Sequence, residues 1–203
     1  MIEVEIKVRI LDPNIIKNQF EENKGVYKLS LLHEDSYYNM PKGLRDFKKT
    51  DEALRLRKSI EFNKKNQTNK QRINHYITYK GKKLDTSTKT REEIDIEIED
   101  IDRMKNLLRE LGFQEILTVK KERDLYEFEF KSFRIDALID YLPILDQYFI
   151  EVEYLLTSSE KLEESKETLF DFLSLFGIKK EESIRKSYLE LIVDKLNNNL
   201  KKN

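Results

Sequence analysis

Cysteine is missing from this 203-residue chain, and histidine occurs only twice, at His33 and His75. The first absence excludes disulfides and thiolate metal sites. The second argues against a His-rich zinc centre. No apolar run approaches the length of a membrane span, and the opening Met1-Ile2-Glu3-Val4-Glu5 lacks the character of a signal peptide. A soluble, cytoplasmic protein is therefore expected. One-sided charge is absent too: 38 Lys and Arg against 39 Asp and Glu leave a formal net charge of −1. That balance lacks the global field of a nucleic-acid binder. What the chain has in quantity is charge of both signs, 38% of its residues, which leaves either a heavily solvated surface or a charged interior. At this length one domain spanning residues 1–203, with a real core, is the default.

The charges are patterned. In a strand, side chains alternate faces with a period of two. Glu3, Glu5, Lys7 and Arg9 then share one face and Val4, Ile6, Val8 and Ile10 the other. Near the far end, Glu151 and Glu153 alternate with Ile150 and Val152. Between these runs come Arg55 and Arg57 against Leu54 and Leu56, and Tyr76, Thr78 and Lys80 against Ile77 and Tyr79. Lys89, Arg91, Glu93, Asp95 and Glu97 stand against Ile94, Ile96 and Ile98. Lys121 with Arg123, and Arg134 with Asp136, continue the pattern.

Four helices separate or follow these strands. Asp12-Pro13 reads as an N-cap followed by proline at the first helical position, with Gly25 as the stop. Ile101 to Leu111 carries Met104, Leu107, Leu108 and Leu111 at helical spacing, closed by Gly112. Thr157 and Glu160 read as a capping box for a helix with Leu162, Leu169, Leu173 and Phe176 on its stripe, ended by Gly177. A last helix is expected from about Ser183, with a frayed tail over 197–203. The almost wholly polar stretch 63–74 reads as a flexible hairpin connection.

Eight strands and four helices give an antiparallel α+β fold. An open sheet would turn the charged faces to solvent. Exposed strands usually mix signs, however, because like neighbours on one face repel. Here the pairs are of one sign: Arg-x-Arg, Lys-x-Arg, Glu-x-Glu. A closed eight-stranded β-barrel with a polar lumen and helices packed outside explains this better. Its basic pairs would bind a polyanion, because Arg engages phosphate through bidentate hydrogen bonds. Its carboxylates would hold a hard divalent cation. The two histidines read as surface or edge residues at strand ends, and Tyr37, Tyr38 and Tyr188 as packing residues.

These motifs, in order, resemble the CYTH superfamily, the triphosphate tunnel metalloenzymes. The resemblance is carried by Glu3-x-Glu5-x-Lys7, by Asp35 with Tyr37-Tyr38, and by Leu54-Arg55-Leu56-Arg57. It continues through Thr78-Tyr79-Lys80-Gly81, Lys89-x-Arg91-x-Glu93, Lys121-x-Arg123, Asp136 and Glu151-Val152-Glu153, and closes with Ile184 to Leu191. The closing Arg-Lys-Ser-Tyr segment and the Tyr-Lys-Gly strand are most similar to the class IV adenylate cyclase branch. One departure stands out: Asp140 to Gln147 replaces that branch's short Gly-Leu-Gly turn and carries no glycine.

The resemblance implies a metal set of Glu3, Glu5, Glu151 and Glu153 for Mg²⁺ or Mn²⁺. It implies a triphosphate grip by Arg55, Arg57, Lys80, Arg91, Lys121 and Arg123, with Lys186 reaching the tunnel end from the last helix. Lys7, with Glu3 and Glu5, would belong to the catalytic group, as a phosphate contact or beside the nucleophile. Glu93 and Asp136 would bind metal, orient an arginine or form a structural pair. Two reactions fit such a tunnel. One is cyclisation of ATP to cyclic AMP and pyrophosphate. The other is hydrolysis of thiamine triphosphate or inorganic tripolyphosphate. A non-catalytic polyphosphate- or nucleotide-binding module is a third reading. The resemblance allows a homodimer, and neither nucleic acid nor membrane is an expected partner.

Overall fold

The structure, a computed structural model, describes residues 1–65, 70–156 and 159–200. These residues form eight strands: β1 (Ile2–Ile10), β2 (Val26–Asn39), β3 (Ala53–Phe62), β4 (Arg72–Lys80), β5 (Arg91–Ile98), β6 (Gln114–Phe130), β7 (Phe133–Leu142) and β8 (Gln147–Leu156). Five α-helices accompany them: α1 (Pro13–Glu22), α2 (Phe47–Thr50), α3 (Ile101–Glu110), α4 (Leu162–Ser174) and α5 (Tyr188–Leu200). The strands close into a barrel in the order β1-β5-β4-β3-β2-β6-β7-β8, with every neighbouring pair antiparallel. The expected eight-stranded α+β barrel is the fold observed. The short α2 adds a fifth helix to the four read from sequence, and the Asp46 carboxylate caps it by accepting from Lys48 N at 3.1 Å.

The strand alternation decides which way each side chain turns. On β1, Val4, Ile6 and Val8 point outward and are buried against α1 and α4, in one cluster with Ile16, Phe20, Leu169, Phe172 and Leu173. Each fully buried aliphatic of this kind contributes about 1.5–3 kcal/mol. Asp12 caps α1 through Asn14 N at 2.8 Å, and Pro13 takes the first turn as the sequence predicts. The helix thereby delivers Phe20 edge-on to Tyr126, Phe128 and Phe176, with centroids 5.3, 5.1 and 4.9 Å away. The helix stops ahead of the expected Gly25, at the Asn23 C-cap and a left-handed Lys24 (φ 66°); Gly25 instead makes room for the Phe128 ring, which would lie 2.3 Å from a Cβ there.

Several boundaries differ from the sequence reading. Part of the 63–74 connection belongs to the ladder: Arg72 pairs with Glu61, and Asn74 with Ser59. Residues 66–69 lie outside the described residues, as does Thr157 of the expected capping box. Half of the 140–147 stretch is strand. Asp140, Tyr141 and Leu142 pair with Phe149, Tyr148 and Gln147, leaving only Pro143 to Asp146 as the turn. It needs no glycine, because Asp146 takes the left-handed conformation (φ 53°) while its N–H bonds to the Leu142 carbonyl at 2.9 Å. The last helix starts at Tyr188, later than expected. Ser187 and Glu190 form a reciprocal cap, Ser187 N to Glu190 Oε2 at 2.7 Å and Glu190 N to Ser187 Oγ at 3.2 Å. It runs on to Leu200, through residues expected to fray, while 201–203 lie outside the described residues.

The barrel seam has its own construction. β1 and β5 pair over only Ile2–Glu92 and Glu3–Arg91. Beyond them Lys89 N donates to the Glu5 carbonyl at 3.0 Å and Ile184 N to the Lys7 carbonyl at 2.7 Å, so residues 82–90 and 183–185 complete the wall. Asp85 folds the first of these segments by accepting from Ser87 N at 2.6 Å and Thr88 N at 2.8 Å. Lys166 of α4 anchors Asp85 at 3.1 Å, and Arg185 donates to its carbonyl at 2.9 Å.

Candidate active site in the barrel lumen

The inward faces of the strands surround a cavity of about 670 Å³. All six predicted triphosphate residues on the strands line it: Arg55 and Arg57 from β3, Lys80 from β4, Arg91 from β5, and Lys121 and Arg123 from β6. So do Glu3, Glu5, Glu93, Glu151 and Glu153.

Among the predicted metal residues, Glu5, Glu151 and Glu153 bring one oxygen each within 4.8 Å of the others. The register explains it: Glu5 lies directly opposite Glu153 on β8, and Glu151 is opposite Lys7. Burial, then the charge of Glu151, pushes Glu5 up to about 7. Burial and Glu3 push Glu153 well above the usual carboxylate range. Burial would also raise Glu151, but Lys89, Lys121 and Arg123 hold it well below that range. Crowded carboxylates held in this way fit a hard divalent cation, which takes oxygen donors and relieves their repulsion. Glu3 stands outside the triad. Its carboxylate is 3.6 Å from the Lys80 ammonium, which also bonds to Glu93.

The cations differ in how firmly they are held. Arg57 forms a bidentate pair with Asp35 at 2.6 and 2.8 Å, and Arg123 one with Asp140 at 2.7 Å on both arms. Arg123 also donates to Glu151. Lys89 bridges Glu5 and Glu151, at 2.9 Å from the latter. Arg55 is looser: one arm donates to Thr78 at 2.9 Å, Asp35 is 3.9 Å away, and its buried Nε has no partner among the described residues. Arg91 is buried with neither a hydrogen bond nor an ion pair among the described residues. Lys121 sits 3.5 Å from Asp140 and 3.8 Å from Glu151. Burial and the neighbouring Arg123 bring it down to about 8. A buried guanidinium without a hydrogen-bonded carboxylate is costly unless a ligand provides the acceptor.

The remaining predicted residues are Lys7, Lys186 and Asp136. Lys7 is fully buried but does not line the cavity; its ammonium lies 3.9 Å from Glu151 and 4.0 Å above the Tyr188 ring. Burial, then Lys89, lowers its pKa well below the usual lysine range. Lys186 precedes α5 rather than riding on it, since the Ser187 cap starts the helix at Tyr188. It lines the cavity rim, paired with Asp194 at 2.6 Å. Asp136 stays off the cavity, half-buried, where burial and Glu127 raise its pKa.

Lys89, which bridges Glu5 and Glu151, and Asp140 are site residues absent from the predicted set. Asp140 is fully buried and accepts from Arg123 and from Tyr188 Oη at 2.8 Å. The signal is in the sequence, because Asp136, Leu138 and Asp140 share one face of β7. Tyr188 does pack, edge-on to Phe149 at 5.2 Å, yet its ring also faces the Lys7, Lys89 and Lys121 ammoniums. His33 sits in the middle of β2, not at its end, buried with Nε2 3.1 Å from Ser59 Oγ. Burial, then Arg57, holds its pKa well below the usual imidazole range.

Comparison with known proteins bears on this geometry. The CYTH domain family matches residues 1–188. A Methanocaldococcus jannaschii protein provisionally named an adenylate cyclase is 38% identical over 192 residues, covering 94% of this chain and 98% of its own. The solved PH1819 protein of Pyrococcus horikoshii is 38% identical, with a TM-score of 0.81 over 95% of this chain and 99% of its own. A Hippeastrum protein, provisionally named an adenylyl cyclase and described as having a dominant triphosphatase activity, shares the fold. It is 16% identical, with a TM-score of 0.59 over 95% of each chain. With its lumen of opposed charges and a family match running from the first strand into the last helix, this chain belongs to the CYTH family.

Proposed function

We propose that this protein is a cytoplasmic, metal-dependent enzyme acting on a triphosphate-bearing substrate, and that its reaction is conversion of ATP to cyclic AMP and pyrophosphate. The observation that carries the reading is one cavity holding both the Glu5–Glu151–Glu153 triad and buried, under-paired arginines at 55 and 91. The triad would hold Mg²⁺ or Mn²⁺, with Glu3 beside it. When bound, that ion supplies charge neutralisation at the phosphoryl oxygens and polarises the attacking hydroxyl.

The protein's own groups do the rest by position and electrostatics. Arg55 and Arg91, free of bidentate partners, grip phosphoryl oxygens. Arg57 and Arg123, fixed by Asp35 and Asp140, present their remaining N–H groups in a set orientation. Lys121, buried between Asp140 and Glu151, adds a further cation. Lys7 lies behind Glu151 and Tyr188, so its role is to position them rather than to touch substrate. Glu93 holds Lys80.

A second reading is hydrolysis, with water attacking a terminal phosphorus of tripolyphosphate or thiamine triphosphate. The triphosphatase activity attributed to the Hippeastrum relative favours it. Product analysis separates the two: the protein is incubated with ATP, thiamine triphosphate and tripolyphosphate, each with Mg²⁺ or Mn²⁺. Cyclic AMP with pyrophosphate supports the cyclase, and orthophosphate release the triphosphatase. Binding without turnover of any of the three would leave a polyphosphate- or nucleotide-binding module.

A further inference from the structure

The cavity mouth differs chemically from the interior. Along the β2–β6 ladder, Tyr37 pairs with Leu117 and Tyr38 with Glu115, so Ile116 has no partner. A bulge of this kind re-aims the extra side chain. Ile116 lines the cavity and remains 50% exposed. Helix α5 supplies a matching surface. Its Tyr188 and Ile192 are buried in the cluster with Tyr37, Val119, Leu142 and Phe149. One residue further on, Leu189 and Val193 share the adjacent stripe at i, i+4 spacing and line the cavity. The Lys186–Asp194 pair borders the same mouth.

Phosphate recognition requires none of these apolar groups, and tripolyphosphate has no apolar surface to offer them. A cavity of about 670 Å³ falls in the range, about 300–1,000 Å³, of sites that enclose an organic ligand. A nucleobase has a flat apolar face for such a wall and polar edges for a flanking ion pair. We propose that Ile116, Leu189 and Val193 form an apolar wall that receives the nucleobase, and that this wall selects nucleoside triphosphates over bare tripolyphosphate. The inference rests on the triphosphate reading above.

The test is calorimetric binding of ATP and of tripolyphosphate, each with Mg²⁺, to the wild type and to Ile116→Thr/Val193→Thr. Threonine keeps the branch at Cβ, so bulge and helix are retained. The wild type is expected to prefer ATP, and the double variant to lower the ratio of the two affinities about tenfold. An unchanged ratio, or an equal loss for both compounds, overturns the wall. So does a wild type that binds both compounds equally, which leaves the triphosphate reading standing. A wild type that binds neither overturns that reading and the wall with it.

Discussion

Two walls of the barrel share one sequence pattern and have different surroundings. On the β8–β1 wall, the outward Val4, Ile6, Ile150 and Val152 are fully buried. On β5, the outward Ile94 and Ile96 are 58% and 55% exposed, and Ile73 of neighbouring β4 is 52% exposed. Alternation therefore reports which face a side chain occupies, not whether anything covers it. Cover comes from α1 and α4, which pack on the first wall; α3 reaches only part of the second, near Leu56, Ile77 and Ile98. The inner faces differ as well. The first wall carries the three converging carboxylates, whereas Asp95 and Glu97 of β5 are exposed.

If the covered wall holds the chemistry, removing its charge should have the largest effect. Glu153→Gln is expected to lower turnover more than about a hundredfold, beyond the loss typical when only a ligand's supporting residue is removed. Glu97→Gln should leave turnover within about twofold, as expected for an exposed group outside the cavity. Steady-state rates on whichever triphosphate proves to be the substrate, with the melting temperature as a fold control, decide it. Equal losses would erase the distinction. The next effect is on stability. Ile6→Ala should cost about 2–4 kcal/mol, as a fully buried aliphatic replaced by a small one. Ile94→Ala should cost distinctly less. Urea midpoints measure both.

How far the sequence revealed this architecture follows from what each signal encodes. Period-two alternation is local, so the eight strands and their charged faces were legible, including Arg55 with Arg57 and Glu151 with Glu153. Pairing is not local. That β1 lies between β5 and β8 depends on closure, and no short motif states it. The same limit hid the partner of Arg123. Asp140 lay in a stretch read as an aberrant turn because it lacked glycine, whereas Asp146 takes the left-handed position itself. Lys7 carried the right charge for the lumen, but its depth behind Tyr188 is set by α5, nearly the whole chain away. The Ser187-x-x-Glu190 cap was legible and would have placed the start of α5 correctly.

His33, on β2 between the two walls, gives a pH test. Its pKa in the folded state is depressed, chiefly by burial and then by Arg57. The unfolded chain therefore binds more protons than the fold below the ordinary imidazole pKa of about 6.5, and stability falls as pH drops through that value. Glu5 and Glu153 act oppositely. Their folded pKa values are raised, so their destabilising effect is relieved as pH falls. The wild-type profile is a sum of both. In protein stripped of divalent ions, the urea midpoint of His33→Gln should decline less between pH 7 and pH 5 than that of the wild type. Parallel profiles would show that His33 is protonated as easily in the fold as outside it.

The smallest effect belongs to the open wall and tests its openness directly. Ile94→Thr/Ile96→Thr keeps branching at Cβ and a side chain well suited to strands, and changes only apolar surface already more than half in water. Stability should shift by no more than about 0.5 kcal/mol per site. Hydrophobic stabilisation scales with the area removed from water, and little is removed here. The same double change at Ile6 and Ile150 would place two hydroxyls in an apolar cluster with no partner and should cost several times more. A large loss at 94 and 96, growing with protein concentration in the melting temperature, would mean that another molecule covers β5 in solution. The two walls would then differ in what covers them rather than in whether they are covered.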